Sequence, residues 1–341
     1  MSELRQNRMT GDWVIIASER ASRPEDFHRE AEKPAPPAHN PSCPFCAGNE
    51  KMTPPEALAD RPENSPPDSG GWNVRVVPNK YPALDPWVEA DWFEEANFFN
   101  GVRGFGVHDV IVETPRHDLT IATMNRRMVE RLFFIYRERY RQLEKDEQIM
   151  LINIFRNYGV KAGASLEHPH SQVLATPVIP MRIQLRLNVA KEYYDIHNRC
   201  VACDTVEATL RAKEKQRLVL ETERFIVFEP FASQTPFETW VIPKRHCATF
   251  GEASDTEIAE LAQVMRDILY RIYVGLGDPD YNYLIQACPT NTRHREKYHW
   301  FIQILPRVVP SVGFEISSGI YICTSKPEDT AAFLRGLSSP R

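Results

Sequence analysis

The sequence lacks any long apolar run. No stretch approaches the roughly 20 consecutive apolar residues that a helix needs to cross a bilayer, and Met1 to Arg20 carries no apolar core of the kind a secretion signal has. It also lacks a basic excess: 41 Lys and Arg face 46 Asp and Glu, and the formal charge of −5 argues against general nucleic-acid binding. The seven cysteines are odd in number and widely spread, so no disulfide framework is expected. Together these absences point to a cytoplasmic protein without a membrane or nucleic-acid partner. At 341 residues the chain is long enough for a sizeable core, as two domains or one duplicated unit.

Four of the cysteines form two CxxC pairs, Cys43-Pro44-Phe45-Cys46 and Cys200-Val201-Ala202-Cys203. Cys247, Cys288 and Cys323 stand alone and read as core residues, the usual place of a free cysteine. Each pair is followed by a strand running into a histidine: Val110 to His117 in the first half, Thr239 to His246 in the second. An amphipathic helix then begins near Asn125 or Ser254. Met128, Leu132, Ile135, Tyr136, Tyr140 and Leu143 line one; Ile258, Leu261, Met265, Leu269 and Ile272 line the other. Ser254 and Glu257 have capping-box spacing. Apolar strands follow, Ile149 to Phe155 and Tyr281 to Ala287, and each half reaches another histidine, His168 or His299.

The chain therefore reads as a duplication, with halves at 1–188 and 189–341. Pro-rich stretches from Lys33 to Pro44 and Thr53 to Gly71 are connections rather than helices or central strands. Residues Ala190 to Leu218 read as a helix–CxxC–helix bridge. The fold class expected is α+β, with mainly antiparallel sheets and flanking helices.

Each half supplies two thiols and two distant histidines. Cys43, Cys46, His117 and His168 make one Cys₂His₂ set, and Cys200, Cys203, His246 and His299 make the other, suiting two closed, structural Zn²⁺ sites. The rival reading of Cys43 and Cys46 as a glutaredoxin-like redox pair requires a helix opening at the first cysteine. The following Ala47-Gly48-Asn49-Glu50 and Pro54-Pro55 make a poor helix.

After the Gly163-Ala164-Ser165 turn stands His168-Pro169-His170-Ser171-Gln172. In an extended segment His168, His170 and Gln172 share a face. That arrangement suits a histidine nucleophile for phosphorus, with a glutamine beside it to touch a phosphoryl oxygen. The second half has His299-Trp300-Phe301-Ile302-Gln303, keeping the first histidine and the glutamine but not the second histidine. Only the first half would then be catalytic. Blander readings stand beside these: a strand-edge pair for the histidines, an ordinary strand hydrogen bond for Gln172, a turn residue at Asn79, a solvated acid at Glu315. His108 could approach the phosphates but reads first as a surface strand histidine, and His28, His39, His197 and His294 read as exposed.

These residues together resemble the galactose-1-phosphate uridylyltransferase family, within the histidine-triad superfamily. The resemblance rests on Cys43 to Glu50, Asn79-Lys80-Tyr81-Pro82-Ala83, Ile111 to His117, Phe155-Arg156-Asn157 through Gln172, Val312 to Ile316, and Gly319 to Ile322. It implies two tandem histidine-triad-like halves, a homodimer, and a ping-pong reaction through a nucleotidylated histidine. Carried over by position, His170 is the nucleophile and Gln172 the phosphoryl contact. Asn79, Lys80 and Tyr81 would contact the nucleoside, and Asn157, Gly163 and Ser165 the phosphates. Val312, Phe314 and Glu315 would line the sugar-phosphate side.

The substrates implied are a nucleotide sugar, UDP-glucose, and a hexose 1-phosphate. The best-known members have glycine where this chain has Ser171. HPHSQ is similar to a branch that includes a plant-type ADP-glucose phosphorylase, which moves AMP from ADP-glucose to phosphate and also has a second Cys₂His₂ site. Two further alternatives fit the motifs less well. A histidine-triad hydrolase usually has a third histidine where Gln172 stands, and a non-catalytic zinc module leaves His170 unexplained.

Overall fold

The structure is a computed structural model that describes residues 2–17, 23–28, 36–212, 215–293, 295–310 and 312–339. A hairpin of β1 (Glu3–Gln6) and β2 (Trp13–Ile16) comes first, then β3 (Leu58–Asp60) and β4 (Val74–Pro78). A second hairpin, β5 (Trp92–Glu95) and β6 (Phe99–Val102), precedes β7 (Val107–Val112) and helix α1 (Arg126–Leu143). Next are β8 (Leu151–Tyr158), β9 (His170–Thr176), α2 (Met181–His197) and α3 (Val201–Arg211). The second half continues with β10 (Leu218–Glu221), β11 (Phe225–Phe228), β12 (Thr239–Pro243) and α4 (Asp255–Leu276). It ends with β13 (Tyr281–Gln286), β14 (Phe301–Pro306), α5 (Gly313–Ser318), β15 (Tyr321–Cys323) and α6 (Pro327–Gly336).

Ten of the strands form one antiparallel sheet in the order β10-β11-β12-β14-β13-β8-β9-β7-β4-β3. Read outward from its centre, β8, β9, β7, β4 and β3 match β13, β14, β12, β11 and β10 one for one. The duplication is thus written into strand order, and the halves join where β8 pairs with β13. This is the α+β, antiparallel architecture expected. The expected division at 188/189 falls inside α2.

Side-chain alternation divides the work of the two sheet faces. Ile111, Ile152, Ile154, Val173, Ala175, Tyr283, Ile285, Ile302 and Ile304 pack under α1 and α4 in the main core. Each isoleucine or valine among them contributes roughly 1.5–3 kcal/mol through its removal from water. The helix starts follow from their caps. The Asn125 side chain accepts from Met128 N at 3.0 Å, and Ser254 and Glu257 bond reciprocally across the first turn of α4. Val129 and Phe133 join the buried stripe of α1, while Met128 is only partly covered.

The other face carries His170, Gln172, Phe155, Asn157, Asn282, Leu284 and Gln303, at alternate positions along their strands. Two smaller apolar clusters flank it, one around Cys43 and Cys46 and the other around Cys200 and Trp240. Both strands expected to reach a histidine stop short: β7 ends at Val112 and β12 at Pro243, so His117 and His246 lie in the loops that follow. The bridge has its two helices, but α2 starts at Met181, directly after Pro180 and ahead of the expected Ala190. Among the described residues, no helix is long and apolar enough to cross a membrane.

Candidate active site and metal centres

His170 opens β9 and is 7% exposed. Its Nδ1 lies 2.8 Å from the backbone oxygen of His168. A carbonyl only accepts, so Nδ1 carries the proton and Nε2 holds the free lone pair. Burial lowers the His170 pKa and favours this neutral form. The loop after β7 grips the segment by its backbone. Glu113 N donates to Pro169 O at 3.1 Å, and His168 Nε2 donates to Thr114 O at 2.8 Å.

Ser171 projects from the opposite side of β9, away from His170 and Gln172. Its hydroxyl donates to the Glu113 carboxylate and meets Tyr136 OH, which lies 2.5 Å from Tyr283 OH. Glu113 pairs with Arg156 Nε at 2.9 Å, with both side chains 1% exposed or less. Burial alone would lower the arginine's pKa, but the adjacent Glu113 carboxylate raises it, so Arg156 stays charged. The serine hydroxyl is therefore part of the packing behind β9 and does not face the sheet side that bears Gln172.

Gln172 Oε1 lies 2.9 Å from His108 Nε2, and Asn79 Nδ2 lies 3.2 Å from the same nitrogen. Asn79 Oδ1 accepts from Tyr81 N, and Ala83 N donates to His108 Nδ1 at 3.1 Å. His108, read from sequence as a surface strand histidine, thus sits half-buried on β7 at the centre of a polar chain ending in Gln172. Val110 pairs with Gln172, and strand alternation puts His108 on the same face as Val110, a register that the sequence alone does not give.

A cleft of about 440 Å³ lies over the β8–β13 centre of the sheet, with Asn157, Asn282, Gln286, Gln303, Arg186 and Glu315 among its walls; His170, Gln172 and His108 stand beside it and do not line it. Asn157 Oδ1 accepts from Asn282 Nδ2 at 2.8 Å, joining the two halves. Gly163, at φ 86°, ends the one-turn helix Val160–Ala162 in the left-handed conformation that favours glycine. Glu315 accepts from Val312 N and Ile322 N, which holds it at the cleft. The other expected contacts lie outward. Lys80, Tyr81, Ser165, Val312 and Phe314 are exposed, and Val312 and Phe314 do not line the cleft.

The two Cys₂His₂ sets assemble as spaced in the sequence, with all four ligand atoms of each within 4.8 Å of one another. Tetrahedral zinc, with bonds of about 2.0–2.1 Å to nitrogen and 2.3 Å to sulfur, separates two nitrogens by about 3.4 Å and nitrogen from sulfur by about 3.6 Å. In the first set His117 Nδ1 and His168 Nδ1 are 3.2 Å apart and lie 3.5 and 3.6 Å from Cys46 Sγ. In the second, Cys203 Sγ lies 3.4 Å from His246 Nδ1 and 3.6 Å from His299 Nδ1. Carbonyls of Thr114 and Glu296 accept from the far nitrogens of His168 and His246, which turns the Nδ1 lone pairs inward. Burial pushes the His168 pKa down to about 4, keeping the imidazole neutral as a ligand must be.

No helix opens at Cys43, which the redox alternative required; Cys200 does cap α3. The first set is wholly buried, whereas His246 of the second is exposed. Cys247, Cys288 and Cys323 are buried, and His28, His39 and His197 are exposed. His294 and Lys33–Ala35 lie outside the described residues.

With this fold and duplicated sheet, the family matches below place the chain among enzymes of the nucleotidyltransferase type. The chain belongs to the galactose-1-phosphate uridylyltransferase family. Sequence profiles of the galactose-1-phosphate uridyl transferase N-terminal and C-terminal domains match residues 1–180 and 152–306. An ADP-glucose phosphorylase of Arabidopsis thaliana is 36% identical over 98% of this chain and 93% of its own length. A galactose-1-phosphate uridylyltransferase of Thermotoga maritima is 29% identical, covering 88% of this chain and 85% of its own. Among solved structures, the Arabidopsis ADP-glucose phosphorylase with bound ADP-glucose superimposes with a TM-score of 0.83 at 32% identity, over 99% of each chain. A uridylyltransferase structure gives 0.74 at 26% identity, over 98% of this chain and 97% of the other.

Proposed function

We propose that the chain transfers AMP from ADP-glucose to inorganic phosphate through a nucleotidyl-histidine at His170. The observation that carries this reading is the 36% identity to an ADP-glucose phosphorylase along 98% of the chain. The orientation of His170 supports the chemistry. Its Nε2 lone pair attacks the α-phosphorus of the nucleotide sugar, a P–N bond forms, and the P–O bond to glucose 1-phosphate breaks. The ring then carries positive charge, which the His168 carbonyl stabilises through Nδ1–H. A phosphate oxygen next attacks the same phosphorus, the P–N bond breaks, and ADP leaves with His170 restored. Splitting the exchange in this way keeps one reactive nitrogen for both halves.

Gln172 serves as the phosphoryl contact. Asn79, Lys80 and Tyr81 serve the nucleoside side; Asn157, Gly163 and Ser165 the phosphates; Val312, Phe314 and Glu315 the sugar side. The two Cys₂His₂ sets hold structural Zn²⁺, whose chemistry is to fix their loops. With four protein ligands each, they leave no position for a reacting water. Residues 1–188 form the catalytic half and 189–341 its inactive counterpart. Trp87, Trp92, Phe93, Phe98 and Phe99 are exposed on and beside the β5–β6 hairpin, which favours pairing with a second copy.

A second reading, uridylyl exchange between UDP-glucose and galactose 1-phosphate, is favoured by the two domain profiles and by the Thermotoga relative. Side-by-side assays separate the two: ADP-glucose with phosphate, and UDP-glucose with galactose 1-phosphate, each with native protein and His170→Ala. Formation of ADP and glucose 1-phosphate, lost in the variant, establishes phosphorolysis. UDP-galactose formation without the first activity moves the enzyme to uridylyl exchange with the same nucleophile.

A further inference from the structure

The two halves of the sheet present a glutamine at the same register, each beside a side chain of opposite hydrogen-bonding character. Gln172 pairs with Val110 across β7 and β9, and Gln303 pairs with Trp240 across β12 and β14. His108 and Glu238 stand two residues before those partners.

In the first half, the backbone N–H of Ala83 donates to His108 Nδ1. That nitrogen is therefore the acceptor, and the proton of the neutral imidazole sits on Nε2. Only the oxygen of the Gln172 amide can receive it, at 2.9 Å, so the amide NH₂ is left free to point elsewhere. The Asn79 amide nitrogen, 3.2 Å from the same Nε2, is then a neighbour and not a donor to it.

In the second half the polarity is reversed. The Glu238 carboxyl receives the Trp240 indole N–H at 2.7 Å and the Gln234 backbone N–H at 2.5 Å, which marks it as an acceptor. Gln303 turns its NH₂ to Glu238 at 2.7 Å and leaves its oxygen outward, 3.4 Å from Gln286 Nε2. This inverted half is also the one with Phe301, stacked on Trp240, where the first half has His170.

We propose that His108 is a positioning residue that sets the polarity of the Gln172 amide, presenting its NH₂ as a donor to the oxygens of the transferring phosphoryl group. The opposite orientation would aim a carbonyl oxygen at an anion and replace attraction with repulsion. The second half is thereby closed to this chemistry by amide polarity as well as by loss of the nucleophile. The proposal rests on His170 being the nucleophile, whichever base the nucleotide carries.

The test is a set of variants read by the single-turnover rate of adduct formation from ADP-glucose and, separately, from UDP-glucose. His108→Gln keeps a donor near the Nε2 position, His108→Ala leaves the amide free to rotate, and His108→Glu imposes the polarity of the second half. The expected order is native, then Gln, then Ala at roughly 10-fold slower. Glu comes last, at roughly 10²–10³-fold slower, the scale of losing one preorganised donor. The fall should appear in the rate at saturating substrate and less in KM. Repeated in a Gln172→Ala background, the three substitutions should give equal rates, because the amide they act through is gone.

Equal rates for Ala and Glu, or an unchanged spread in the Gln172→Ala background, would overturn the positioning role. If the Glu variant does not fold, the Gln and Ala pair decides: equal rates for these two would overturn it as well. Native protein and His170→Ala serve as controls. If native protein forms no His170 adduct from either nucleotide sugar, the nucleophile reading itself fails and takes this one with it.

Discussion

His170 Nδ1 lies 2.8 Å from the backbone oxygen of His168, while the ring of His168 turns its own Nδ1 to Cys46 and His117. One residue therefore orients the candidate nucleophile with its backbone and closes the first metal set with its side chain. Loss of the set frees the backbone that fixes the His170 tautomer. Cys46→Ser should lower the nucleotidyl-transfer rate by about 10-fold or more, on the scale of disturbed metal shells. Cys203→Ser should keep most of the rate and lose stability. Metal content, rate and melting temperature of the two variants check this. A chelator should strip the exposed second set before the buried first one.

Ser171 is bonded behind β9, to Glu113 and Tyr136. Ser171→Gly should cost about 1–3 kcal/mol, since a buried carboxylate loses a donor. It should leave the preference between adenine and uracil nucleotides unchanged. Urea unfolding and the ratio of kcat/KM for ADP-glucose and UDP-glucose measure the two effects.

Glu113 neutralises Arg156 in a fully covered site. Glu113→Ala leaves that guanidinium buried without a counter-charge and should cost about 3–5 kcal/mol. Replacing both residues with apolar side chains of similar volume should recover much of the loss. Denaturation of the single and double variants tests the expectation.

Glu257 closes the capping box of α4 and pairs with Arg245 at 2.8 Å, next to the metal-set residue His246. Burial raises its pKa, but Arg245 and the Ser254 amide outweigh this and bring it down to about 2. The folded pKa is below the unfolded value of 4.5, so the unfolded state binds more protons between them. The contribution of Glu257 is complete above pH 4.5 and is lost as the pH falls toward 2. Glu257→Gln should be less stable than native by roughly 1–2 kcal/mol at pH 7. That gap should hold to about pH 5 and narrow below it, as urea midpoints across this range would show.

The duplication, the helix caps and both metal sets were legible because each depends on spacing. CxxC turns, periodic helices and the histidines after β7 and β12 repeat at nearly equal intervals, and spacing survives in a linear sequence. Partnerships across strands were less visible. His108 belongs with Gln172 through the register of β7 on β9, and Ser171 belongs with Tyr136 and Tyr283 through packing of α1 on the sheet. Neither register nor packing is written in local spacing. The outward positions of Lys80, Tyr81, Val312 and Phe314 likewise follow from tertiary placement and not from their motifs.

The most direct measurement is the intact mass of the protein after mixing with ADP-glucose alone, with phosphate withheld. The predicted result is an adenylyl adduct that maps to His170, is absent from His170→Ala, and discharges as ADP when phosphate is added. No adduct from ADP-glucose, or an adduct on another residue that persists in His170→Ala, would contradict the account.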